Sequence, residues 1–158
     1  MMDTGPLVLA RVGDIFLAFP VTGVREVLDD TGITEVPLAP AHILGLINVR
    51  GQVVSVVDAR TLFGLPDDSA QHRLSVHLLI GQGDETRSLL VDEVLEVIRP
   101  DEQEFVSVPP GLTRALEAVV LRVIRQPSRL ILVCSTMAIM HEVVRPDSLR
   151  TASQEEAE

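Results

Sequence analysis

The amino-acid sequence predicts an all-β domain, a barrel or sandwich of about ten short strands. Short apolar runs rich in Val, Ile and Leu recur along the chain, as in Leu7 to Val12, Val53 to Val57 and Leu130 to Val133. Turn signals separate them at close intervals: Gly13-Asp14, Arg50-Gly51-Gln52, Gly81 to Glu85 and Gln126 to Arg129. Helical spacing is confined to short stretches.

Composition narrows the function. The chain has 158 residues, 46% of them hydrophobic, enough for one domain or two small lobes with a real core. The single cysteine, Cys134, cannot form an internal disulfide, and at the end of an apolar run it reads as a buried, inert thiol. A net charge of −10 with no basic stripe argues against nucleic acid and against anionic lipid. Four Phe, no Trp and no Tyr disfavour stacking platforms and sugar clefts. No secretory leader is visible, and no apolar run approaches the roughly 18–20 residues of a membrane span. The expectation is a soluble, cytoplasmic protein.

The elements follow in order. Residues 1–6 read as a tail. Leu7 to Val12 and Ile15 to Phe19 form a hairpin around Gly13-Asp14. After Pro20, the apolar residues Val21, Val24, Val27 and Leu28 fall at helical spacing, which predicts a short helix with Glu26 facing outward. Ile33 to Val36 is extended, and Pro37 and Pro40 interrupt it. Ala59 to Phe63 is one helical turn ended by Gly64, and Asp58 before it is a capping residue. Residues 64–73 are the expected junction between two lobes. Leu74 to Ile80, Thr86 to Val91, Val94 to Ile98, Leu116 to Ile124 and Leu130 to Cys134 are strands. Ser135 caps a last helix with Met137, Met140 and Val144 as its apolar stripe, Ile139 and Val143 beside it. Residues 146–158 form an acidic tail.

The central hairpin, Ile43 to Arg60, is the most informative stretch. Alternation puts Leu46, Asn48 and Arg50 on one face and Ile47 and Val49 on the other. A polar pair beside a leucine at the open end of a hairpin suits contact with another protein; loop capping by Asn48 and a solvated Arg50 explain the same pattern. Catalytic patterns are missing. His42, His72, His77 and His141 show no metal-ligand spacing, Asp92-Glu93 reads as a turn, and Gly81-Gln82-Gly83 is not followed by a helix. No enzyme activity, metal or cofactor is expected.

The segment Gly45-Leu46-Ile47-Asn48-Val49-Arg50-Gly51, followed by Val53 to Asp58, resembles the signature of the CheW-like family of chemotaxis coupling proteins. Val24-Arg25-Glu26-Val27, Leu89 to Val94 and Leu130 to Val133 resemble further family segments in the expected order, and the similarity covers roughly residues 7–145. The resemblance implies two packed five-stranded SH3-like β-barrels with a few short helices. It implies a non-enzymatic adaptor that couples the cytoplasmic tip of a methyl-accepting chemoreceptor to the regulatory domain of a CheA-type histidine kinase. It assigns receptor binding to Val24, Glu26, Gly45, Asn48, Arg50 and Gly51, with Glu26 and Arg50 close together, and Leu46 joins them from its shared face with Asn48 and Arg50. Departures from the family pattern at Glu93, residues 116–124 and Cys134-Ser135 fall in the second lobe, where the kinase is expected to dock, while Ser88 is a conservative fit to a small residue. A paralogue serving type IV pili or surface motility and a small β-barrel ligand-binding protein are the alternatives.

Overall fold

The computed structural model describes residues 5–29, 31–66 and 75–145. Strands β1 (Leu7–Val12) and β2 (Ile15–Pro20) form the first hairpin, and β3 (Val24–Asp29) follows. The central hairpin is β4 (Ile43–Val49) and β5 (Gln52–Asp58), closed by the helical turn α1 (Ala59–Leu62). Then come β6 (Val76–Gln82), β7 (Glu85–Val91), β8 (Glu93–Ile98), β9 (Phe105–Val106), α2 (Arg114–Val119), β10 (Val120–Gln126), β11 (Arg129–Cys134) and α3 (Thr136–Val143).

The strands form two sheets, β8-β1-β2-β11-β10-β9 and β3-β6-β7-β5-β4. Apart from the two-residue β9, each has five strands, and each has one parallel step, β2 with β11 and β5 with β7. The two sheets have the same connectivity. β8, β1, β2, β11 and β10 correspond to β3, β6, β7, β5 and β4, and register shifts fall at matching places, in β8 and β3 and again at the starts of β10 and β4. β9 beside β10 is matched by the single bridge of Thr34 to Leu46 beside β4.

The lobes are therefore not consecutive pieces of chain. Each half of the sequence gives its leading hairpin to the other half's sheet: β1–β2 pairs with β8 and β11, and β6–β7 pairs with β3 and β5. The chain changes sheets at the 3-10 turn Val21–Gly23 and again at Asp92. Most of the expected 64–73 junction, and both expected tails except Gly5 and Pro6, lie outside the described residues.

Alternating side chains bury both faces of the sheets. Leu7, Leu9, Ala18, Ile124, Ile131 and Val133 fill one lobe, and Ile47, Val54 and Val56 fill the other. A larger cluster between the lobes joins residues of both sheets, such as Leu17, Phe19, Leu78 and Leu89, to Leu116 of α2 and Ile139 of α3.

Three local expectations need correction. Residues 21–28 are a 3-10 turn and then a strand, β3. Along β3, Val24, Glu26 and Leu28 are half-buried while Arg25, Val27 and Asp29 are exposed, so a charged inward residue and an exposed valine imitate a helical period. Residues 114–119 form a helix, because Thr113 caps it through Leu116 N–H at 3.2 Å and Ala115, Leu116 and Val119 turn one face to the core. α3 is capped by Ser135 as expected, but its buried face is Ile139, Met140 and Val143; Met137 and Val144 are exposed.

Candidate functional site: a charged cleft at the β4–β5 turn

Val49 pairs with Gln52, which leaves Arg50 and Gly51 as a two-residue loop. Both have positive φ, +50° and +84°, the conformation that matches the twist of paired strands. Glycine adopts it without penalty, whereas arginine does not. The loop is braced by Asn48, whose Oδ1 accepts the Gly51 N–H at 2.8 Å. Asn48 thus has the loop-capping role, while its own side chain remains exposed.

From this turn the Arg50 side chain reaches β3. Its Nη1 donates to Glu26 Oε1 at 2.9 Å and its Nη2 to Oε2, a two-pronged contact suited to a planar guanidinium. β3 and β4 are the two outer strands of their sheet, so this pair ties its open edges together. The Glu26 side chain is 28% exposed and that of Arg50 73%, so the cation is the outer member. The hydrogen bond from Arg50 holds the Glu26 carboxyl below its ordinary value of 4.5, against the smaller opposing effect of burial, and the same bond raises Arg50. Beside the pair lies a cleft of about 310 Å³ lined by Arg25, Glu26, Val49, Arg50, Val54 and Leu79, among others.

The register separates the seven residues expected to contact the receptor. A bulge between Val24 and Glu26 turns these two to opposite faces. Glu26 falls in the cross-strand row Glu26–Leu79–Ser88–Val56–Gly45, whose middle members are buried inside the lobe. Val24 falls in the row Val24–Ile80–Arg87–Ser55–Leu46, on the face that borders the inter-lobe core. Arg50 lines the cleft with Val49 and Val54 and does not share the face of Leu46 and Asn48, because it sits in the turn rather than in the strand. Glu26 is accordingly half-buried under Arg50 rather than outward-facing. Gly45 is buried; a Cβ there would lie 2.2 Å from the Thr34 carbonyl oxygen, so this glycine admits the passing chain.

Several polar groups were not singled out by the sequence reading. Arg25 spans the β6–β7 hairpin, donating from Nη1 to Thr86 Oγ1 at 2.9 Å and from Nη2 to the Gly83 carbonyl. Glu96 of β8 occupies the place equivalent to Glu26, and Arg129 beside its own two-residue turn reaches it at 3.4 Å. The signal was present as Val24-Arg25-Glu26-Val27 against Val94-Leu95-Glu96-Val97. Between the lobes, buried Arg60 meets buried Asp92 at 2.5 Å, and Asp92 also accepts the Gly13 N–H at 2.8 Å.

Reactive groups are engaged elsewhere. Cys134 is fully buried and its thiol is pushed up to about 12 by desolvation. His77 Nδ1 lies 2.7 Å from Ser88 Oγ, and His42 Nε2 lies 2.8 Å from the Val143 carbonyl oxygen. Asp58 caps α1. Among the described residues no group of three or more His, Cys, Asp and Glu side chains is placed to hold a metal ion, and no helix is long and apolar enough to cross a membrane.

These features define the class: a two-lobed β domain with exchanged hairpins and an exposed, ion-paired cleft at one sheet edge. Residues 6–144 match the model of the CheW-like domain, and the chain belongs to the CheW-like domain family. The chemotaxis protein CheW of Bacillus subtilis is 28% identical over 139 residues, covering 82% of this chain and 88% of that protein. The Helicobacter pylori chemotaxis protein CheW is 29% identical over 102 residues, 65% of this chain and 61% of that protein. The crystal structure of the scaffolding protein TtCheW from Thermoanaerobacter tengcongensis superposes with a TM-score of 0.69 at 26% identity, covering 82% of this chain and 87% of that one.

Proposed function

We propose that this chain is a non-enzymatic adaptor of a bacterial chemosensory two-component system. It acts in the cytoplasm and couples the signalling tip of a chemoreceptor to the regulatory domain of a CheA-type histidine kinase. Its relatives are named chemotaxis proteins and its structural neighbour a scaffolding protein, which supports the reading. The observation that carries it is the Arg50–Glu26 pair, exposed beside an accessible cleft and held on a braced turn.

The receptor's helical hairpin docks around the β4–β5 turn. Arg50 and Glu26 contribute fixed charges, Leu46 and Val24 apolar contact, and Asn48, Gly51 and Gly45 the shape of the backbone. Apolar burial supplies affinity, while the charges set register and exclude wrong partners. An exposed ion pair adds little to folding, so its value lies in orientation. Arg50→His and Glu26→Lys therefore retain the wild-type melting curve and lose retention of a purified receptor-tip fragment in a pull-down. Unchanged melting together with unchanged retention rejects the assignment.

A further inference from the structure

Arg87 occupies the centre of the row Val24–Ile80–Arg87–Ser55–Leu46. The two ends of that row are residues assigned above to receptor contact. Its guanidinium is half-buried and donates once, from Nη1 to Ser55 Oγ at 2.9 Å. The Nε is buried with no acceptor. Among the described residues, no carboxylate lies within ion-pair distance of it.

This arrangement is singular among the described arginines. Of the described arginines, Arg11, Arg50, Arg60, Arg114, Arg122, Arg129 and Arg145 each meet a carboxylate. Arg25, Arg99 and Arg125 meet none and are exposed, where water solvates them. Among the described arginines, Arg87 alone is both partly withdrawn from water and without a counter-charge, in a protein of net charge −10. A partly desolvated cation with one neutral hydrogen bond is under-satisfied, and a carboxylate delivered from outside relieves it. On that face half-buried Leu46 and exposed Val53 offer apolar surface to the side of a helix, while Ile80 beside Arg87 is buried in the inter-lobe core.

We propose that Arg87 is a specificity residue of the receptor site: it receives an Asp or Glu carboxylate carried beside the apolar stripe of the docking helix. The proposal rests on the adaptor reading above and adds the sign and place of the charge that is read. Arg87 acts separately from Arg50, which already holds Glu26 on the opposite face of the sheet.

The test measures binding of a purified receptor-tip fragment to wild type, Arg87→Gln, Arg87→Lys and Arg50→His at low and high salt, with melting curves for each. Arg87→Gln keeps the fold and weakens binding about tenfold or more, with a flatter salt dependence; Arg87→Lys recovers part of the loss. An acid-to-amide scan of the fragment then finds one position whose change weakens binding to wild type and has no further effect on Arg87→Gln. That scan leaves the wild-type adaptor intact, so it decides the matter even if an Arg87 variant is unstable. Full binding by Arg87→Gln, or wild-type binding by every amide variant, overturns the inference. If Arg50→His still loses binding in that case, the placement of the receptor site at the β4–β5 turn stands; if Arg50→His also binds normally, that placement falls with it, whereas failure of wild type to bind the fragment overturns the adaptor reading itself.

Discussion

Replacing Asp92 with Asn should destabilise the whole domain, because it removes one member of the buried ion pair between the lobes. Arg60 and Asp92 are 4% and 6% exposed, and their contact is 2.5 Å. Breaking such a pair from one side leaves an uncompensated buried charge, at a cost of about 3–5 kcal/mol. Two features favour the lower end. Arg60 keeps a hydrogen bond from Nη1 to the Pro66 carbonyl at 3.1 Å, and a cleft of about 300 Å³ lies against it, roomy enough to admit water once the carboxylate is gone. A loss of about 3 kcal/mol lowers the melting temperature of a domain of this size by roughly 6–12 °C. Urea and thermal unfolding of Asp92→Asn, Arg60→Met and the double variant Arg60→Met/Asp92→Asn measure it. The double variant should be more stable than either single one, since no orphaned charge remains. Stability of Asp92→Asn within about 1 kcal/mol of wild type, or a double variant as costly as the two singles added, refutes the reasoning.

Other expectations are more local. The Glu26 carboxyl should titrate below 4.5 in wild type and return towards that value in Arg50→Met, as followed by carboxyl NMR. Since the folded value is the depressed one, the stabilisation from this pair is present above the unfolded value and disappears as pH falls through the folded one. Cys134, buried with its thiol at about 12, should react with a thiol reagent at neutral pH only as fast as the protein opens; immediate stoichiometric labelling of native protein contradicts its placement. Gly45→Ala should lower the melting temperature, because the new Cβ collides with backbone at Thr34 rather than with a movable side chain. Unaltered melting of Gly45→Ala would show that this segment is free to move away.

Local chemistry was legible in the sequence. Gly13-Asp14 and Arg50-Gly51 mark their hairpins, Asp58 and Ser135 cap the helices that follow them, and the strand content follows from the β-branched runs. The identity of the Glu26–Arg50 pair came from family resemblance, and the geometry brings the two together. Long-range pairing was not legible. The β1–β2 and β6–β7 hairpins present similar apolar alternation, so nothing local states which sheet each one enters. The β3 bulge has no turn residue to announce it, yet it decides that Val24 and Glu26 face opposite ways. Arg87 meets Ser55 through a parallel step between strands 32 residues apart, and Arg60 meets Asp92 at the same separation. In the sequence, Arg60 falls within a helical turn and Arg87 within a strand, and nothing local distinguishes either from a solvated charge.

The adaptor account stands most directly on whether one molecule holds both partners. Size-exclusion chromatography of the purified chain with a receptor-tip fragment and a kinase regulatory domain, separately and together, measures this. The account predicts two binary complexes and one ternary peak, with Arg50→His losing the receptor from both while retaining the kinase domain. Mutually exclusive binding of the two partners, or no binding of either by the well-folded wild type, contradicts it.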